Sequence, residues 1–409
     1  MLDVTRRGLL AGAATLPFLG RAHANPAEVK IALLTPLSGP LARQGQLMKI
    51  GADMAVEDIN RAGGLKALGG APLRLVVADA GDTIERAKSA AQRLVAQESD
   101  LVAGIGAWLT AYTLAATEVT ERARLPWLTL SWADAVTERG FQYVIATSAP
   151  STRIAGEAVP KIVELAARST GRKPTKVGVI ADSTSVAQAF VKPLREGGFA
   201  RLGLEAVIDQ TYTTPLTDAT QMVQRIRTTR PDFLILYAGS IADAKLLLDK
   251  LGEFGLGKGR IPILAPGAHI GVPEMLANLG ADNLEGIISI AANWGSKRKK
   301  AMLDDFCARA REPWMTQDTL STYGEVALIA DALERSGATD RDKLMAALKA
   351  TDTSEGPARY FLGSSLRFDE KGRRRDAPFA LFQWQKGVPV TVDPAEDAFA
   401  EIAWPRRSS

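Results

Sequence analysis

Lys30-Ile-Ala-Leu-Leu-Thr-Pro-Leu-Ser-Gly-Pro-Leu-Ala-Arg-Gln-Gly-Gln46 is the stretch whose reading decides the fold. Ile31 to Leu34 is an apolar run of strand length, stopped by Thr35-Pro36. Ser38-Gly39-Pro40 turns the backbone, and Gln46 to Ala62 carries Met48, Ala52, Ala55, Val56 and Ile59 at helical spacing. Strand, turn and helix in that order form the unit of an open α/β sheet, whose ligands bind beyond the carboxyl ends of the strands. Ser38, Arg43 and Gln44 are therefore candidate ligand contacts, with Arg43 able to grip a carboxylate at two points. The alternative is a plain connecting turn beside a solvated arginine.

The same rhythm continues outward. Strands are predicted at Leu73–Ala78, Leu101–Ile105, Trp127–Leu130 and Tyr143–Thr147. The helices between them are Thr83–Glu98, Thr110–Ala123 and Ser151–Ser169. It then restarts with strands at Lys176–Ala181, Leu204–Ile208, Phe233–Tyr237 and Ile261–Ala265, separated by helices at Ser185–Glu196, Leu216–Thr228 and Ile241–Phe254. Two such runs predict two doubly wound parallel sheets in separate lobes. The tail departs from the rhythm: an extended run at Leu284–Ala292, helices at Lys297–Arg311, Asp318–Ser336 and Asp340–Lys349, then strands at Leu366–Asp369 and Phe379–Gln385. These late elements have to join one lobe or the other, so the chain is expected to cross between lobes more than once.

The beginning of the sequence reads as an export leader. Thr5-Arg6-Arg7-Gly8-Leu9-Leu10 is a twin-arginine pair before a weakly apolar stretch, and Ala22-His23-Ala24 offers a small-x-small cleavage pattern. Residues 1–24 are read as this leader, leaving 385 of 409 residues. The formal charge is +4 overall and +2 without the leader. The basic runs Lys297–Lys300 and Arg373–Arg375 lack interleaved aromatics and read as solvated faces, against a nucleic-acid site.

The missing residue types narrow the chemistry. Cys307 is the only cysteine, so no intrachain disulfide forms, and its apolar-periodic helix predicts a buried, inert thiol. His269 is the only histidine after the leader. Zinc sites of the His/Cys kind, and Cys–His or Ser–His–Asp catalysis without His269, are excluded by count. No cofactor and no metal is expected.

Three strand-to-helix junctions are candidate ligand loops: Ala107-Trp108-Leu-Thr110, Ser131-Trp132-Ala133-Asp134 and Tyr237-Ala-Gly-Ser240. Trp108, Trp132 and Trp294 all follow predicted strands and suggest an aromatic, ligand-facing surface. Gly104-Ile-Gly106 has Leu109 where a dinucleotide fingerprint needs glycine. Gly252–Gly259 lies after a helix, the reverse of a P-loop.

In order and spacing, these residues resemble the periplasmic substrate-binding proteins of ABC importers of the branched-chain amino acid (leucine/isoleucine/valine) type. The resemblance rests on Leu34-Thr-Pro-Leu-Ser38-Gly39-Pro40 with Gly45 and Gly51, and on Ala55-Val-Glu-Asp-Ile-Asn60-Arg-Ala-Gly63-Gly64. It continues through Asp79, the Arg86–Val95 helix, Leu125-Pro126-Trp-Leu, Arg139-Gly140, Tyr237 and Phe368-Asp369-Glu370-Lys371-Gly372. It implies a type I periplasmic binding protein fold, α/β, with two doubly wound parallel-sheet lobes and a hinge. The expected division is 27–148 plus 293–364 for one lobe and 149–292 plus 365–409 for the other.

The resemblance further implies a ligand held by the loops containing Thr110 and Ser131–Ala133 and an aromatic at Tyr237 closing over it; Ser240 and Gly267 are further candidate contacts from the second lobe. The expected setting is the periplasm, the expected partners an ABC permease and ATPase, and the expected state a monomer. The loop Ala265-Pro266-Gly267-Ala268 lacks the acid that pairs an α-ammonium in amino-acid receptors. A small carboxylate without an essential amine, aromatic acids included, is therefore expected ahead of leucine-like ligands. A sensor module for a membrane partner is the alternative, as is an enzyme using carboxylates such as Asp79 or Asp134.

Overall fold

The computed structural model describes residues 27–363 and 365–404, so the leader expected at 1–24 lies outside the described residues. Strand β1, Val29–Thr35, is buried along almost its whole length, as a central parallel strand with helices on both faces must be. Helix α1, Ala42–Arg61, begins four residues before the expected Gln46, which places Arg43 and Gln44 in its first turn. There follow β2 (Leu73–Asp79), α2 (Ile84–Gln97), β3 (Leu101–Gly106), α3 (Thr110–Arg122), β4 (Trp127–Thr129), α4 (Ala135–Glu138) and β5 (Val144–Ala146). The five strands form one parallel sheet in the order β2-β1-β3-β4-β5. Thr83 caps α2 as its sequence suggests, its hydroxyl accepting from the Arg86 N–H at 3.2 Å.

The second half opens with α5 (Ser151–Thr170), β6 (Lys176–Asp182), α6 (Ser185–Pro193), α7 (Phe199–Leu202), β7 (Glu205–Tyr212), α8 (Thr220–Thr229) and β8 (Phe233–Tyr237). It continues through α9 (Ile241–Glu253), β9 (Ile263–Leu264), α10 (Pro273–Leu284) and β10 (Ile288–Ala291). The tail supplies α11 (Lys300–Ala310), α12 (Gln317–Ser336), α13 (Arg341–Lys349), the short pair β11 (Asp352–Thr353) and β12 (Leu366–Arg367), and finally β13 (Ala380–Gln385) and β14 (Val388–Asp393). The second sheet runs β14-β13-β10-β9-β8-β6-β7, parallel except where β13 and β14 add antiparallel strands at one edge. Helix α10 and strand β14 are elements the sequence pattern did not announce.

Each sheet has its own cores. Ile31, Leu33, Val102 and Ile105 pack with Val326, Ile329 and Leu333 of α12, which brings the tail helices onto the first sheet. Val177, Val179, Phe233 and Ile235 pack with Ile154, Ile162 and Phe190 on one face of the second. Between the cores the described chain passes three times: after β5, after β10 and again between Phe368 and β13. At the second passage Asn293 fixes the path, its amide donating to the Tyr360 carbonyl at 2.9 Å and its oxygen accepting from the Leu362 N–H at 2.9 Å.

Several expectations are corrected here. Arg373 and Arg374 are buried, not solvated; only Arg375 of that run is exposed. A lone parallel bridge between Ala146 and Arg373 pins the backbone, and the arginine side chain runs inward beneath the Ser131–Ala133 loop. Trp294 is not on the wall of the cavity at the strand ends: it stacks on Phe382 with ring centroids 4.2 Å apart, inside the second lobe. Cys307 is half-buried at the rim of the Phe306–Met54–Leu320 cluster, and burial raises its thiol pKa, which disfavours the reactive thiolate.

Candidate functional site

The carboxyl ends of β3, β4, β8 and β9 converge, and the segments that leave them line one cavity of about 650 Å³, mouth included. That is the position at which doubly wound sheets bind ligands. From the first sheet come Trp108, Leu109 and Thr110 after β3, and Leu130, Ser131 and Trp132 after β4. Tyr237 and Gly239 come from the end of β8, Gly267 to His269 from the segment after β9, and Val186 from α6. Leu41, just before α1, and Gln44 in its first turn reach in, as do Gln317 and Asp318 from the first turn of α12.

Seven of the eleven residues singled out in the sequence thus share one wall system: Gln44, Trp108, Thr110, Ser131, Trp132, Tyr237 and Gly267. The other four stand elsewhere. Ser38 lies beside Asp79, whose carboxylate accepts from the Leu37 and Gly81 N–H groups at 2.8 Å each and shapes the turn after β1. Arg43 is taken by two glutamates, one contact going to Glu274 and another to Glu312 at 2.7 Å. Ser240 caps α9 by accepting from the Asp243 N–H at 3.1 Å. Ala133 turns its carbonyl away, toward Arg373 at 2.7 Å.

The cavity wall presents polar atoms that the protein does not satisfy. Among the described residues, Ser131 Oγ, the Trp132 indole N–H and Gln44 Oε1 are buried without a hydrogen-bonding partner. Leaving a buried polar atom unpaired costs about 1–3 kcal/mol, so three around one cavity need a reason to be there. The first turn of α3 adds backbone N–H groups, since its cap residue Leu109 has no side-chain acceptor to offer them. The chain enters that turn through Gly106 at φ 102° and Ala107 at φ 49°. The left-handed conformation is costly for alanine, and here it is held by the Ala107 N–H donating to the Leu34 carbonyl at 2.7 Å and by core packing of its side chain, on the turn that leads to Trp108 and Thr110.

Two ionisable groups on this wall escaped sequence reading. His269 shares its Nε2 proton with the Ala238 carbonyl at 2.6 Å; burial lowers its pKa, so the ring is neutral and Nδ1 is left as an acceptor. Asp318 is 2% exposed, and burial with no cation beside it pushes its carboxyl up to about 7. The Ala265–Ala268 loop itself holds no acid, as its sequence reads; an acid reaches the cavity from α12 instead. Its neighbour Gln317 is fixed by accepting from the Ala292 N–H at 2.7 Å, which ties the cavity to the second interlobe passage. In sequence Thr316-Gln-Asp-Thr319 reads as a helix start, and Asp318 as an ordinary first-turn acid.

Two further acids that could have reached the cleft do other work. Asp182 accepts from the Thr184 N–H at 2.9 Å and from the Gly239 N–H at 2.5 Å, holding the loop behind Gly239. Glu325 accepts from the Thr147 hydroxyl at 2.9 Å, and burial pushes it up to about 8, so it is protonated at neutral pH. Among the described residues no group of three or more His, Cys, Asp or Glu side chains forms a metal-binding set.

Comparison with known proteins places this architecture. The chain is 26% identical over 387 residues to Leu/Ile/Val-binding protein homolog 8 of Brucella melitensis, covering 92% of this chain and 93% of the relative. Homolog 7 of the same organism is 28% identical over 416 residues, covering 99% of each. The fold matches the branched-chain amino acid transporter substrate binding protein LivJ of Streptococcus pneumoniae, solved with isoleucine, at a TM-score of 0.75, 22% identity and 89% and 99% coverage of the two chains. It also matches an R. palustris solute binding protein solved with benzoate, at a TM-score of 0.74, 19% identity and 93% and 100% coverage. The sequence pattern of the periplasmic binding proteins matches residues 28–389, nearly the whole described chain. With two doubly wound sheets, three passages between them and a cavity at the strand ends, the chain belongs to the periplasmic binding protein family.

Proposed function

We propose that this chain is the periplasmic solute receptor of an ABC importer: it captures one small molecule between two lobes and delivers it, unchanged, to a membrane permease and its ATPase. The observation that carries this reading is the cavity itself, where Ser131 Oγ, the Trp132 N–H and Gln44 Oε1 stand buried and unpaired among Trp108, Leu109, Leu130 and Val186. Such a wall binds by hydrogen bonds plus apolar contact, and about −8 kcal/mol suffices for a micromolar dissociation constant. The cavity needs no catalytic group for this. Its only imidazole is buried and neutral against a backbone carbonyl.

The lobes we assign are 27–148 plus 293–364 and 149–292 plus 365–409, except that Leu366 and Phe368 pack with the first-sheet core and Trp294 packs with the second sheet. Two contacts join the lobes at the mouth: Arg43 of α1 reaches Glu274 of α10, and the Trp314 indole donates to the Gly271 carbonyl at 2.7 Å. A receptor opens by parting these contacts about its three interlobe passages, and ligand favours the closed form. Export through the twin-arginine route, with cleavage after Ala24, completes the proposal. Small-angle scattering on protein refolded free of small molecules tests it: saturating ligand is expected to lower the radius of gyration. An unchanged radius at saturation would count against a closing receptor.

A further inference from the structure

Asp318 is the one side chain on the cavity wall that carries a formal charge when ionised near neutral pH. The other ionisable groups there are Tyr237, whose phenol burial holds in the neutral form, and His269, neutral against the Ala238 carbonyl. Behind the wall, Asp182 accepts from the Gly239 N–H. The two arginines close to the site are both engaged. Arg43 faces Glu274 and Glu312, and Arg373 directs its donors to the carbonyls of Ser131, Ala133 and Ser148.

Among the described residues the cavity wall thus offers a carboxylate and no side-chain cation. We infer that Asp318 selects the ligand by pairing with a protonated nitrogen carried on a compact apolar body, a ligand carboxylate being optional. This rests on the receptor reading above and deepens it. A carboxylate buried without a cation is unfavourable, and a ligand cation removes that cost where an anion would add to it. Indole rings such as those of Trp108 and Trp132 accept a neighbouring cation as readily as an apolar group. The backbone N–H groups at the start of α3 remain available to a carboxylate if the ligand has one. On this inference the order drawn from the Ala265–Ala268 loop is turned round, an amine coming ahead of an amine-free acid.

Proton linkage follows in sign. Asp318 is partly protonated near neutral pH in the free protein and must be ionised to hold a cation, so binding releases protons. A ligand that instead accepted a hydrogen bond from the Asp318 carboxylic acid would take protons up.

The test is titration calorimetry on the full chain, refolded free of small molecules. It uses matched sets: isopentylamine, leucine and isocaproate; benzylamine, phenylalanine and benzoate. A thermal-shift screen of a wider collection of small amines and acids accompanies it. The expected result is that every binder carries a protonatable nitrogen and that Asp318→Asn weakens it by roughly 100-fold. Buffers of different ionisation enthalpy should then report net proton release near pH 7. Isocaproate or benzoate binding as tightly as the matched amines would overturn the inference while leaving the receptor reading intact. So would proton uptake on binding, or an Asp318→Asn protein of unchanged melting temperature that binds the amine within about threefold of wild type. Should Asp318→Asn fail to fold, the sign of proton exchange in the wild type decides. A screen without any binder would overturn the receptor reading, and this inference with it.

Discussion

Arg373→Ala is expected to lower the unfolding free energy by about 3 kcal/mol or more, because the side chain is a buried hub of donors to backbone acceptors. Its Nη1 reaches the carbonyls of Ser131 at 3.2 Å and Ser148 at 3.4 Å, Nη2 reaches Ala133 at 2.7 Å, and Nε reaches the Thr137 hydroxyl at 3.2 Å. Truncation strands these acceptors at about 1–3 kcal/mol each when they stay dry, and empties the space of a long side chain. Burial lowers the guanidinium pKa to about 10, still charged at neutral pH, and no carboxylate forms an ion pair with it among the described residues. The loss should therefore persist in 1 M salt, where an exposed ion pair would be screened. Arg373→Lys keeps the charge and loses the fork, and should fall between wild type and alanine. Urea unfolding at low and high salt measures all three; a midpoint unmoved by Arg373→Ala would refute the assignment. Since the same hub holds the Ser131–Ala133 loop, ligand affinity should drop with it.

Gly51→Ala should be nearly as damaging for a different reason. A Cβ at Gly51 would overlap the Thr319 carbonyl oxygen outright and press on the Thr322 hydroxyl, so α1 and α12 would have to part. Overpacking of this kind costs about 1–3 kcal/mol, and here the obstacle is backbone, which yields least. The clash lies one residue from Asp318, so affinity should fall along with stability. Gly156→Ala is the matched control: its Cβ would meet nothing within 4 Å on the exposed face of α5, and alanine there should add about 0.5–1 kcal/mol. Thermal unfolding of the two variants side by side is the measurement. Equal melting temperatures would contradict the close α1–α12 contact.

What the sequence announced and what it concealed divide along physical lines. Ile31–Leu34 and Phe233–Tyr237 were legible because a parallel strand covered on both faces must be apolar at every position, and both are. The loops carrying Trp108, Thr110, Ser131, Trp132 and Tyr237 were legible because ligand sites in such sheets follow the strand ends. Helix α10 was hidden by Gly280, whose φ of 74° interrupts its pattern. The short strand β14 was hidden by Pro389, which fits an edge strand and argues against an inner one.

The deeper misses are matters of tertiary placement. Asp318 looks like any first-turn acid until α12 is seen to return to the first sheet and set its amino end into the cavity. Arg373 shares its letters with the exposed Arg375, and only the bridge to Ala146 turns one inward and leaves the other in water. Arg43 looks free to contact a ligand in sequence because its partners Glu274 and Glu312 lie more than two hundred residues away.

The most direct test of the account is native mass spectrometry of the purified chain. Protein stripped by unfolding and refolding would be exposed to the small-molecule fraction of the cells that make it, and then weighed intact. The account predicts one small molecule retained per chain, recovered chemically unchanged on denaturation, and lost when Trp132 and Ser131 are both replaced by alanine. Recovery of a chemically altered molecule, or a chain that retains nothing, would contradict it.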